Sequence, residues 1–241
     1  MDPLWLLLGA VAGIISGLLG VGGGIVLTPF LHYVGGRPWP EAVALSLLVI
    51  AIQSPIGVWR HARKGVVDWR LAVPLTGAGA LGVGLGDRAL PHLPVPLLKA
   101  LFASLMLFAA WRLGREVRAR TLRGAAALVG LGAGFVSRIL GVGGGILTVP
   151  AVTLAGTPTH VAVGTSLVAV FTNAALATGA NLARGLAWSE GVVLAVGAVA
   201  GTFLGVRLAH GLPEVKLKRV VAIALVAVAA LVVLDVLRNG L

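Results

Sequence analysis

The sequence contains no cysteine, which excludes disulfides and thiolate chemistry and removes any redox hint of compartment. Acidic residues are almost as scarce. The eight are Asp2, Glu41, Asp68, Asp87, Glu116, Glu190, Glu214 and Asp235, all at or near the ends of apolar segments. No two carboxylates sit together in mid-segment, no His-Glu-x-x-His occurs and no serine has a histidine in an adjacent motif, so an intramembrane hydrolase lacks its working parts. His61 and His160 lie near loop ends without a nearby carboxylate or a second well-spaced histidine; no metal site and no cofactor are expected. The N-terminus, Met1-Asp2-Pro3-Leu4-Trp5, lacks the basic region of a signal peptide, so the first segment is expected to stay in the protein. Charge of either sign accounts for only 11% of the 241 residues, whereas 58% are hydrophobic. With a mean hydropathy of +1.02, this composition predicts an all-α polytopic membrane protein.

What the chain does have is one stretch written twice. Gly20-Val21-Gly22-Gly23-Gly24-Ile25 recurs as Gly141-Val142-Gly143-Gly144-Gly145-Ile146, each copy in the middle of a long apolar run. Each glycine disfavours helix by about 1 kcal/mol relative to Ala. In lipid, backbone freed from a helix is tolerated only where it is buried in protein or lines a polar cavity. Glycines that serve helix packing are spaced four apart, whereas these are clustered. The pattern predicts two broken helices that meet at a substrate site.

The apolar segments fall at about 4–34, 40–60, 70–90, 95–113, 124–156, 158–183, 190–210 and 216–237. The basic stretch Arg112, Arg115, Glu116, Arg118, Arg120, Arg123 separates a first repeat (1–114) from a second (124–241), with residues 115–123 as the connecting loop. Pro29 matches Pro150, Ser46-Leu47 matches Ser166-Leu167, and Gly82, Gly86, Arg88, Pro94 and Lys99 match Gly201, Gly205, Arg207, Pro213 and Lys218, the offset drifting only from 121 to 119. Internal duplications of this kind build two-fold scaffolds in many transporters.

The net charge of +11 is spread over short loops, which suits membrane topology rather than nucleic acid. If all eight segments cross, the basic residues divide 11 on the N-terminal side to 7 opposite, leaving Arg138 within the membrane. If segments 4–34 and 124–156 instead enter, break at the glycines and return, the division is 5 on the N-terminal side (Arg37, Arg88, Lys99, Arg184, Arg238) to 13 opposite. The second arrangement obeys the positive-inside rule better, and its odd number of crossings per half makes the repeats inverted with both termini outside. It also suits segments longer than the roughly 20 residues that one crossing needs.

The two Gly-Val-Gly-Gly-Gly segments followed by Pro, the Gly164-Thr165-Ser166-Leu167 stretch and His61-Ala62-Arg63-Lys64-Gly65-Val66-Val67-Asp68-Trp69 resemble the sulfite exporter TauE/SafE family over nearly the whole chain. That resemblance implies a multi-pass protein of the bacterial cytoplasmic membrane that moves sulfite, sulfonates, thiosulfate or related sulfur anions. The second half departs from the His61 stretch, with Asn181 opposite His61 and Trp188 opposite Asp68, so a role for that loop belongs to one half.

The residues independently favour an anion. Amides at Gly22, Gly23, Gly24 and at Gly143, Gly144, Gly145 would open half-helices whose positive ends point inward. Ser16 and Ser137, four residues before each cluster, and Ser46, Thr165 and Ser166 could add hydroxyl donors or instead bond their own helix carbonyls. Gln53 and Asn173, near mid-segment, could line a polar path or join helices. Arg138, three residues before the second cluster, could pair with a substrate anion or snorkel to an interface; its repeat partner is Gly17. The tryptophans at 5, 39, 59, 69, 111 and 188 are expected as interfacial anchors. A cation channel would want acidic or carbonyl rings, which a basic chain with an internal arginine does not offer. The expected partners are thus a small anionic substrate and the lipid bilayer, without nucleic acid; no oligomeric state is specified. Alternating access by rocking about the glycine breaks is the expected mechanism.

Overall fold

The structure, a computed structural model, describes residues 3–19, 24–113, 125–154, 156–185, 188–210 and 214–239. The connecting loop 115–123, the glycines Gly22 and Gly23 and the side chain of Ser16 lie outside the described residues. The elements are α1 (Pro3–Leu19), α2 (Gly24–Tyr33), α3 (Trp39–Arg63), α4 (Trp69–Ala89), a 3-10 turn (Leu90–His92), α5 (Val95–Leu113), α6 (Ala126–Leu140), α7 (Gly145–Leu154), α8 (Thr159–Ala183), α9 (Trp188–His210) and α10 (Glu214–Asn239). No strand occurs among the described residues, as the composition predicts. Each half runs in the same order: two short helices, then three long ones.

Local chemistry sets the ends. Pro38 and Pro158 precede α3 and α8 at φ −52° and −54°, backbone already suited to a helix start. Asp68 caps α4, its carboxylate accepting from the amides of Arg70 (3.0 Å) and Leu71 (3.4 Å).

The long helices pack through glycine. Along α4 and α6, Gly130 abuts Leu75, Gly134 abuts Gly79, Gly82 sits against Leu131 and Phe135, and Gly86 lies on the stem of Arg138. Residue numbers rise together on both helices, so α4 and α6 run parallel. The same holds for α1 and α9, where Gly9 and Gly13 meet Leu194 and Ala198 while Gly201 and Gly205 meet Ala10 and Ile14. These are the packing glycines, and they are spaced four apart. Without side chains the backbones approach closely enough for dispersion and Cα–H···O contacts to hold helices where no hydrophobic effect drives them together. Helices α3 and α8 face each other at the centre, and α5 pairs with α10 at the periphery.

The short helices fold back. Leu27 and Leu31 of α2 share an apolar cluster with Leu8 and Ala12 of α1, Trp5 and Phe30 packing on it. Val152 of α7 shares one with Leu71 and Leu75 of α4, against Ala126 and Val129 near the start of α6. Among the described residues four ion pairs join the two halves: Arg37 with Glu190, Lys99 with Asp235, and Asp87 with both Arg138 and Arg184.

Polarity is distributed as lipid requires. Leu7, Val73, Leu81, Leu128, Ile223 and Leu237 are exposed, whereas Thr28, Ser46, Ser137, Thr148, Thr165, Ser166 and Asn173 are buried. Among the described residues, α3 and the His160–Ala183 part of α8 are each long and apolar enough to cross a membrane; α1, α5, α6 and α9 contribute shorter apolar stretches.

Candidate functional site

The second glycine cluster ends one helix and begins another. Gly141 takes the left-handed conformation (φ 74°) after α6, and its amide donates to the Ser137 carbonyl at 3.0 Å. Gly143 and Gly144 are also left-handed (φ 69° and 80°), so a side chain at any of the three would be strained. Helix α7 then opens with the amides of Leu147 and Thr148 both donating to the Gly144 carbonyl. The whole stretch from Gly141 to Ile146 is buried.

The start of α2 packs on the second glycine cluster. Gly24, the first residue of α2, lies so close to Gly141 and Val142 that a Cβ there would be 2.9 Å from the Val142 Cα. Ser46 of α3 donates its hydroxyl to the Gly141 carbonyl at 2.9 Å. Gly143 is enclosed by Val170 of α8 and Ile50 of α3. Thus Gly24, Gly143, Gly144, Gly145 and Ser46 gather at one place.

One residue of this gathering was not anticipated. Thr28 is fully buried, its hydroxyl has no partner, and it points at Gly141, where a Cβ would be 2.8 Å from its Oγ1. Its signal in the sequence is the helical step of four from Gly24, which puts both on one face of α2. The Ser137 and Ser166 hydroxyls are likewise buried without partners.

The remaining expected site residues go elsewhere. The Thr165 hydroxyl accepts from the Asp68 amide at 2.9 Å and so ties α8 to the cap of α4. Gln53 accepts through its side-chain oxygen from Thr202 of α9 at 3.4 Å. Asn173 sits against Gly79 of α4, fully buried with neither amide atom paired.

Arg138 does not snorkel. It is 1% exposed, and its Nε donates to Asp87 Oδ1 at 2.7 Å. Its Nη2 lies 2.6 Å from the same oxygen, off the line of its own N–H, so that contact is Coulombic rather than a second hydrogen bond. Asp87 stands in the last turn of α4, 23% exposed, and also binds Arg184 beyond the end of α8, through Nη1 at 2.8 Å to Oδ1 and Nη2 to Oδ2. That hydrogen bonding pushes the Arg184 guanidinium further toward its charged form. Asp87 is therefore more than a helix-end acid: it supplies the counter-charge that a buried arginine requires. Two departures from the repeat announce this pair, since Gly17 stands opposite Arg138 and Val206 opposite Asp87.

Comparison with known proteins agrees with this architecture. The family described as "Sulfite exporter TauE/SafE" matches residues 5–234. A "Probable membrane transporter protein" of Xylella fastidiosa (strain Temecula1) is 34% identical over 241 residues, covering 93% of this chain and 92% of that protein. A "Probable membrane transporter protein" of Methanocaldococcus jannaschii is 28% identical, covering 68% and 66% respectively. The "Probable membrane transporter protein YdhB" of Bacillus subtilis is 25% identical, covering 86% and 89%. With its helical architecture, lipid-suited surface and duplicated glycine break, the chain belongs to the sulfite exporter TauE/SafE family of membrane transporters.

Proposed function

We propose that the protein exports small sulfur-containing oxyanions, such as sulfite, a sulfonate or thiosulfate, across the bacterial cytoplasmic membrane by alternating access. The observation that carries this reading is the seating of Gly24 on Gly141 beside the unpartnered hydroxyl of Thr28. Left-handed glycine amides and free hydroxyls suit a compact oxyanion, which needs several donors and no bulky side chain. The family description supports the sulfur chemistry. The burial of residues 141–146 is what a carrier closed to both sides would have, and the glycines provide the hinges for opening.

The proposed topology is two inverted repeats, each led by a re-entrant pair, α1–α2 and α6–α7. The ion pairs support it independently of charge counting. In an eight-crossing arrangement Arg37, Asp87 and Lys99 lie on one face of the membrane, and Glu190, Arg184 and Asp235 on the other. These three pairs between the halves would then have to bridge the bilayer. With re-entrant pairs, all six residues share one face. The fold-back of α2 onto α1 and of α7 toward the start of α6 agrees with this reading.

The test is transport in proteoliposomes loaded with labelled sulfite, with acetate and sulfate as competitors. Protein-dependent sulfite efflux that sulfonates inhibit and acetate does not is expected. Equal inhibition by acetate would assign the site to carboxylates instead.

A further inference from the structure

We infer that Asp87 is a built-in competitor for the transported anion: it occupies Arg138 in the empty protein, and an incoming oxyanion takes its place while Arg184 retains the released carboxylate. This rests on the anion-transport reading above and adds Arg138 to the anion's ligands.

The geometry of the three residues carries the inference. A single carboxylate serves two guanidiniums, so the cluster keeps one unit of positive charge. Arg138 belongs to the buried side and Arg184, 52% exposed, to the solvent side, with Asp87 between them. Asp87 Oδ1 accepts from both arginines, while Oδ2 is held by Arg184 alone. Turning the carboxylate toward Arg184 therefore needs one side-chain rotation and leaves its charge paired. Arg138 would then present a planar, always charged fork to whatever anion replaced it.

Arg138 also holds its place without Asp87. Its stem lies along Gly86, where a Cβ would come within 2.9 Å of the Arg138 Cβ. The aliphatic part is thus positioned by backbone contact, and the carboxylate is the exchangeable part. An arginine buried so completely cannot stand unpaired. It requires some anion at all times, its own or a transported one. Affinity for substrate is then a difference, set by how much better an oxyanion satisfies Arg138 than Asp87 does. Loss of Asp87 should strengthen anion binding, the opposite of what loss of a substrate ligand does.

The experiment compares wild type, Asp87→Asn, Arg184→Gln and Arg138→Gln, purified in nanodiscs. Each is titrated with methanesulfonate, sulfite and, as a control, choline, by calorimetry and by thermal shift. Methanesulfonate is included because its charge does not change over the working pH range. Asp87→Asn is expected to melt earlier than wild type without anion, to bind methanesulfonate at least tenfold more tightly, and to gain a larger thermal shift from it. Arg184→Gln leaves Asp87 wholly to Arg138 and is expected to weaken binding at least threefold. Arg138→Gln should abolish binding.

If Asp87→Asn binds no more tightly than wild type, or gains no larger shift, the competitor role is overturned while the anion site stands. Should Asp87→Asn fail to fold even with anion present, Arg184→Gln decides: unchanged or tighter binding there refutes the inference. If wild type and every variant bind no anion, the functional reading itself fails, a result distinct from the other two.

Discussion

A methyl group added at Gly24 gives the sharpest test of whether the two breaks meet. In Gly24→Ala the new Cβ would sit 2.8 Å from Ile50 Cδ1, 2.9 Å from Val142 Cα and closer still to the Gly141 carbonyl oxygen. Ile50 can turn its terminal methyl away, but Val142 and Gly141 are backbone in a segment whose glycines already fix its shape. To restore ordinary contact the breaks must separate by up to about an ångström, an overpacking that costs about 1–3 kcal/mol. Greater helix propensity returns at most about 1 kcal/mol, and less at the first residue of a helix. The expected net loss is about 2 kcal/mol, or about 4–8 °C in melting temperature for a chain of this size. Gly132→Ala in α6 is the control, because a Cβ there meets nothing within 4 Å. There the propensity gain of up to about 1 kcal/mol stands alone and melting should rise. Thermal unfolding of the three proteins in one lipid composition measures both. If Gly24→Ala melts with or above Gly132→Ala, the breaks do not pack as described, and the site built from them is wrong.

Two further outcomes follow from single residues. Asn173→Leu exchanges a buried amide with two unpaired polar atoms for an apolar group of similar size, which should stabilise the fold by about 1–3 kcal/mol. If Asn173 lines the anion path, transport in vesicles should fall in the same variant; gain of stability without loss of transport would assign Asn173 to packing. Asp68→Ala removes the cap of α4 and should cost about 1 kcal/mol by thermal unfolding, with anion binding unchanged. A larger fall in binding than in stability would show that the loop from His61 to Trp69 acts on substrate.

The duplicated glycine motif made the centre of the fold legible before any coordinates. Clustered glycines cannot be a packing stripe, and the structure places the second cluster in a break between α6 and α7, while the glycines spaced four apart do the packing. Ser46 was legible for the same reason, through its match to Ser166 in the repeat. Partnership across the halves was harder to read. Asp87 looks like a solvated helix-end acid because nothing in its neighbourhood mentions Arg138, 51 residues away. Only the packing of α4 on α6 joins them. Thr28 escaped because it falls one residue out of register with Thr148, so comparison of the halves passes over it. Thr165 carries a contact that the sequence does not show: a backbone amide from a distant loop donates to its hydroxyl.

The one-sided occurrence of Arg138 and Asp87 bears on which way the empty carrier faces. In an inverted-repeat transporter the inward-open and outward-open forms arise when the halves trade conformations, so identical halves would populate the two forms equally. On the proposed inverted-repeat topology, the trade sets the Arg138–Asp87 pair against repeat positions that the sequence fills with Gly17 and Val206. Removing one partner of a buried pair costs about 3–5 kcal/mol. Straining the pair by a third of that in one form would already shift the resting population about tenfold, since about 1.4 kcal/mol is a factor of ten. The gradient alone decides the direction of net flux. On the proposed mechanism, the pair decides at which side of the membrane the unloaded protein waits.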